Sequence, residues 1–143
     1  MAIKQLTVFV ENRQGALVEI TDLFAAHHVD MRALSIADTQ DFGILRVIVN
    51  QTEEALQILR ESGHLVQATE VVAVKIGDAP GKLSQALHAL NEAGVNVEYL
   101  YAFLARTERH AYVVLRVADN EKASAVLEAA GFHMVSEADI QKL

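Results

Sequence analysis

The sequence predicts an α+β protein made of two ferredoxin-like βαββαβ units, each an antiparallel sheet with its helices on one face. Three observations carry this: an internal repeat, the same order of hydrophobic periods in both copies, and length changes confined to the gaps between periodic segments. Gly15 and Gly81 lie 66 residues apart, and alignment there sets Leu17 against Leu83, Ile20 against Ala86, Phe24 against Leu90 and Val29 against Val95. "ILRVIV" at 44–49 matches "VLRVAD" at 114–119 through Arg46 and Arg116, now 70 apart, and Gly63 matches Gly131 at a separation of 68. Both length changes therefore fall where loops absorb them. Residues 1–70 and 71–143 are expected to be the two domains.

Each element follows from its period. "IKQLTVFV" alternates as a strand with Leu6, Val8 and Val10 on one side, and Leu17, Ile20 and Phe24 then recur at helical spacing from the residue after Gly15 to about His28. "RALSIAD" and "GILRVIV" alternate as strands around the hairpin connection "TQDF". Ala55, Leu56 and Leu59 form a helical stripe, with Thr52 as the expected N-cap and Gly63 as the stop, before the short strand "LVQAT". In the second copy come "VVAVKI", a helix over 81–93, "NVEYLYAFLA", "AYVVLRV", a helix over 120–130 ended by Gly131, and "HMVSE". The four added residues lengthen the hairpin tip at "ARTERH". A unit of about 70 residues has a thin core and a bare sheet face, so burial against a partner copy, and a homodimer, are expected.

Composition narrows the function classes. Of 143 residues, 52% are hydrophobic and 22% charged, as in a compact soluble fold. The start of the chain lacks a secretion signal, and no apolar run approaches the roughly 20 residues that span a bilayer, so no membrane role and a cytoplasmic location are expected. Cysteine is absent, which removes disulfides, thiol catalysis and thiolate metal sites. Asp and Glu outnumber Lys and Arg 19 to 12, and neither central strand carries basic aromatic motifs, which argues against nucleic acid as a partner. The six histidines show no ligand spacing, and no catalytic motif occurs; neither a metal nor a cofactor is expected.

Two loops invite chemistry. "NRQGAL" at 12–17 and "GDAPGKL" at 77–83 occupy the same place in the repeat, between first strand and first helix. In one reading they are plain turns, with Asp78 capping and Pro80 presetting φ in the first helical turn. In the other they are binding loops, because a helix start has free N–H groups that take an anion and glycine lets a ligand approach the backbone. The two readings are compatible. Elsewhere, Tyr99, Tyr101 and Phe103 share one strand face and would pack against the helices or the partner copy, or line a pocket. Arg46 and Arg116 are expected on the open side of their sheets.

"VENRQGALVEITDLFAAHHVDMRALSIADTQDFGILRVIV" and "VKIGDAPGKLSQALHALNEAGVNVEYLYAF", with their glycine turns in βαββαβ units, resemble the ACT domain, an amino-acid-sensing regulatory module. "MRALSIADTQDFGILR" in particular looks like the free-standing tandem ACT-domain proteins. The resemblance covers essentially the whole chain. It implies a small-molecule ligand, an amino acid or a relative of one, held between units by the first loop of one and the second strand of its neighbour. Carried over, the first loop offers Asn12, Arg13, Gln14, Gly15, Ala16 and Leu17, with Leu34, Ser35 and Ile36 on the strand. The second offers Asp78, Ala79, Pro80, Gly81, Lys82 and Leu83, with Glu98, Tyr99, Leu100 and Tyr101. Gln14 replaces the proline in the first loop, so the second is expected to be the more preorganised cradle. A non-enzymatic regulator, acting on an enzyme or another partner, is the function implied; a ligand-free interaction module and a small ferredoxin-like enzyme are the alternatives.

Overall fold

The computed structural model describes residues 2–39, 41–104 and 110–143. Gln40, in the first hairpin connection, and most of the "ARTERH" tip lie outside the described residues. The chain forms two compact units, one of residues 4–69 and one of residues 70–143 together with the N-terminus up to Ile3.

In the first unit, β1 (Ile3–Glu11), β2 (Met31–Asp38) and β3 (Phe42–Val49) pair antiparallel, with β3 in the middle. Leu6 stands opposite Val47, Val8 opposite Leu45, and Val10 opposite Gly43. Period-two alternation sends Leu6, Val8, Val10, Leu45, Val47 and Val49 to one face, where α1 (Ala16–Ala26) adds Ile20 and Phe24 and α2 (Thr52–Glu61) adds Leu59. Helices thus cover one face of the sheet, as expected. On the other side of β1, Phe9 N–H donates to Leu65 O at 3.0 Å and ties the exit from α2 to the sheet.

The second unit repeats the plan. β4 (Val66–Gly77) pairs with β6 (His110–Arg116), which pairs with β5 (Tyr99–Ala102), and β7 (His133–Met134) pairs with the other edge of β4. Val72, Val74, Val113 and Leu115 meet Ala86 and Leu90 of α3 (Lys82–Glu92) and Ala123 and Leu127 of α4 (Asn120–Ala129).

Several local expectations are corrected. "LVQAT" and "VVAVKI" are not two strands but one continuous β4 of 12 residues, since nothing between them breaks extended backbone. β5 is shorter than "NVEYLYAFLA", although Glu98 N–H still donates to Arg116 O and Phe103 N–H to Tyr112 O, both at 2.9 Å. Thr52 is the first residue of α2, the N-cap is Gln51, and no side chain caps it. Asp78 and Pro80 precede the cap of α3, which is Gly81, so Asp78 makes no cap hydrogen bond and Pro80 is not in the first turn. The chain also ends in an unforeseen helix, α5 (Glu137–Lys142), which buries Ile140. Its signal is "SEAD": Ser136 Oγ accepts from Asp139 N–H at 3.1 Å, and Asp139 Oδ2 accepts from Ser136 N–H at 2.9 Å, a capping box.

Tyr101 stands opposite Val114, between Val113 and Leu115 of the helix-side core. The aromatic stripe therefore lies on the sheet face away from α3 and α4. There Tyr99 and Tyr101 stack at 6.4 Å, and Phe103 meets Tyr112 at 6.0 Å. Arg46, opposite Thr7 and Ser35, and Arg116, opposite Tyr99, take the sheet face away from the helices, but that face is not open as expected: Gln5, Ala33 and Ile48 on the first and Ala73, Tyr101 and Val114 on the second are buried. No helix among the described residues is long and apolar enough to cross a membrane.

Helix ends follow one recipe. After α2, Gly63 is left-handed at φ 84°, with Gly63 N–H donating to Arg60 O and His64 N–H to Leu59 O, both at 3.0 Å. Gly131 and Gly94 do the same after α4 and α3, but the equivalent of Gly94 in the first copy is His28, held at φ 57°. A Cβ is disfavoured there. His28→Gly is expected to stabilise the first unit by about 1 kcal/mol, and Gly94→Ala to destabilise the second by a similar amount, in denaturant unfolding.

The capping box predicts a pH response. Hydrogen bonds from the Ser136 backbone N–H, then its hydroxyl, hold the Asp139 carboxyl below its ordinary pKa. A depressed carboxylate stabilises the fold above its unfolded-state pKa and loses that contribution as pH falls through the folded value. Ser136→Ala is expected to cost about 1 kcal/mol at neutral pH, and this difference should shrink in acid unfolding curves below the ordinary carboxylate range.

Candidate functional site

At the end of β1 the chain turns through Asn12, Arg13 and Gln14 into α1. Arg13 N–H donates to Glu11 O at 2.9 Å, Ala16 N–H to Arg13 O at 3.3 Å, and Glu19 N–H to Gly15 O at 3.1 Å. Gly15 is the N-cap, in the left-handed region at φ 87°, and no side chain caps the first turn. A Cβ on Gly15 would meet nothing within 4 Å, so the backbone conformation, not space, requires glycine. The second loop repeats this geometry: Gly81 sits at φ 89°, Lys82 N–H donates to Ala79 O at 3.2 Å, and Gln85 N–H to Gly81 O at 3.0 Å.

A cleft of about 220 Å³ opens at the first loop. Strand register explains its membership. Val10 and Asp38 both stand opposite Gly43, so the end of β2 comes level with the beginning of the loop. Of the expected residues, Asn12, Arg13, Ala16, Leu17 and Ile36 line the cleft. Gln14 and Gly15 are exposed in the turn beside it, and Leu34 and Ser35 lie further along β2, outside it. Val10, Glu11, Ala37, Asp38 and Gly43 complete the lining, and sequence reading missed them. Pairing the strands residue by residue from Arg46 opposite Ser35 would have found Asp38.

Its floor is apolar, from Val10, Ala16, Leu17 and Ile36, and its rim is charged. Asn12 Nδ2 donates to Asp38 Oδ1 at 3.4 Å, bridging loop and strand. Arg13 Nε donates to Glu11 Oε2 at 2.9 Å, and Arg13 Nη2 reaches Glu19 Oε1 and Oε2 at 3.1 and 3.2 Å. Hydrogen bonds to Glu11 and then Glu19 raise the Arg13 pKa further, so the guanidinium is permanently charged. Exposed pairs of this kind add little stability, but they fix where the cation sits. At matched positions the second copy has Gly77, Ala79 and Gln85, and therefore no such cluster.

In the second unit, Asp78, Ala79, Pro80 and Gly81 are exposed, while Lys82 and Leu83 are half-buried. Lys82 lies over Gly77, where a Cβ would come within 3.0 Å of its Cγ. The strand candidates are not beside this loop. Leu100 is level with Val72 and Tyr101 with Ala73 through β6, roughly four residues or about 13 Å along the strand from Gly77. Glu98 and Tyr99 are further still, because β5 runs away from the loop in that direction. Within their own unit, Glu98, Tyr99, Leu100 and Tyr101 stand apart from the second loop.

The family description "ACT domain pair" matches this chain over residues 1–143. The crystal structure of protein BT0572 from Bacteroides thetaiotaomicron is 35% identical, with 100% of this chain and 98% of that chain covered and a TM-score of 0.93. The ligand-free regulatory subunit of aspartate kinase from Thermus thermophilus is 18% identical over 90% of each chain, with a TM-score of 0.68. That of the aspartate kinase from Thermus flavus is 15% identical over 90% of this chain and 92% of that chain, at 0.62. The likeness to these two subunits is one of fold. A comparison with curated proteins gives no match.

The matched turns predict matched costs. Gly15→Ala and Gly81→Ala should each destabilise by about 1–2 kcal/mol in denaturant unfolding, whether or not a ligand is present. A much larger effect at one site than at the other would contradict the shared backbone requirement.

Proposed function

Because the chain belongs to the ACT domain family, as an ACT domain pair over its whole length, we propose that it is a non-enzymatic cytoplasmic regulator. It binds an amino acid or a close relative at the first-loop cleft. The observation that carries this reading is the bridging of Asn12 to Asp38 beside the Arg13 guanidinium, above an apolar floor. An ammonium group fits the Asp38 carboxylate and the Asn12 side-chain carbonyl. A carboxylate fits Arg13 and the uncapped start of α1, where free N–H groups and the helix dipole favour an anion. The ligand side chain would rest on Leu17 and Ile36.

Regulation requires that the ligand prefer one conformation or association state over another, since equal affinity for both shifts nothing. A homodimer and a regulated partner enzyme are the two outlets proposed for that preference. The second loop belongs to the same proposal with Asp78, Pro80, Gly81 and Lys82.

Calorimetric titration with each standard amino acid tests the reading. At least one should bind, and Asp38→Ala should weaken it by about tenfold or more, which is about 1.4 kcal/mol. No heat and no thermal shift at millimolar ligand would favour a ligand-free interaction module instead.

A further inference from the structure

We propose that the first unit carries a second small-molecule site, for an aromatic α-amino acid, in a cavity separate from the first-loop cleft. The cavity measures about 440 Å³ and is walled by Phe9, Phe42, Gly63, His64 and Leu65, with Glu11, Arg13 and Glu19 at its charged side. It shares only Val10, Glu11, Arg13 and Ala16 with the first cleft, so the Arg13 segment forms a wall between the two. Its size falls in the range of about 300–1,000 Å³ usual for small-molecule pockets.

Three features define the occupant. First, the body of the cavity is aromatic: Phe9 and Phe42 meet edge-to-face at 5.8 Å and 64°, and Phe42 remains 39% exposed. A third ring can join such a pair in the offset or edge-on geometries that aromatic quadrupoles favour. Leu65 faces solvent at 73% exposure, yet its carbonyl is held by Phe9 N–H, so its backbone is fixed in the wall while its side chain waits for cover. Second, the wall at His64 is firm: its backbone N–H closes the turn after α2 on Leu59 O at 3.0 Å, and its Nδ1 is buried out of reach of solvent. A preformed wall binds a ligand without first having to be ordered. Third, the charged side presents Glu11, Arg13 and Glu19 in alternating sign, with Arg13 bonded to both carboxylates. That arrangement offers a partner to both charges of a zwitterion and matches neither a simple anion nor a simple cation. The second copy has Lys75, Phe132 and His133 where the first has Phe9, His64 and Leu65, so the site belongs to the first unit alone.

NMR titration of the whole chain with L-tryptophan and L-phenylalanine, with L-leucine as the aliphatic control, tests the proposal. The amides of Phe9, Phe42, His64 and Leu65 should shift and saturate. Phe42→Ala should weaken binding roughly tenfold, and Phe42→Leu, which keeps apolar bulk, should still weaken it by about threefold. Dispersed spectra of both variants show that they remain folded. Asp38→Ala, which touches only the first cleft, should leave this affinity within about twofold. The proposal is overturned if no shifts occur at about 10 mM ligand, or if leucine binds as well as tryptophan. It is equally overturned if Asp38→Ala abolishes the binding, which would place the aromatic ligand in the first cleft.

Discussion

The chain leaves β1 and enters α1 through one residue in left-handed backbone, Gly15 at φ 87°, and it leaves β4 for α3 through Gly81 at φ 89°. Everything near the first cleft depends on that turn. Left-handed backbone reverses the chain within a few residues, so the helix comes back over the sheet with Ala16 and Ile20 already at core positions. It also occupies the N-cap with a residue that has no side chain to cap with. The first turn of the helix is left open, and the side chains of the turn are free for other partners.

Those partners come from strand register. The core needs Val8 opposite Leu45 and Leu45 opposite Ile36, and this pairing carries Asp38 to the level of Val10, beside the turn. Asn12 then reaches Asp38, and Arg13 settles between Glu11 and Glu19. A one-residue slip would turn every core side chain outward, so the hydrophobic pattern that folds the sheet also places the polar rim. Arg13 stands in the walls of two cavities because a long cation pinned by two carboxylates cannot collapse into either.

The two copies share a backbone solution and differ in what they hang on it. The hydrogen bonds from Ala16 to Arg13 and from Lys82 to Ala79 are equivalent, but the ion cluster of the first turn has no counterpart in the second. The same divergence appears at the helix ends, where His28 endures the conformation that Gly94 adopts without strain. Backbone geometry is common property of the pair, while the side chains at the turns differ from one unit to the other.

Much of the fold was legible in the sequence because it rests on local and periodic signals: alternation for strands, the Leu17, Ile20, Phe24 spacing for a helix, glycines for helix ends, and the repeat for the order of elements. The ACT likeness was legible in the same residues. What the sequence could not place was anything set by pairing across the chain. Leu34 and Ser35 were nominated and lie outside the cleft, while Asp38 and Ala37 line it, because two residues along a strand is about 7 Å and only register decides which of them meets the loop. Glu98 to Tyr101 stand apart from the loop of their own unit for the same reason. Asp78 and Pro80 read as a helix start, but the tertiary position of α3 put the cap one residue beyond the proline, at Gly81. The cavity beside His64 is the extreme case: it is built from β1, β3 and the exit of α2, which only the folded chain brings together.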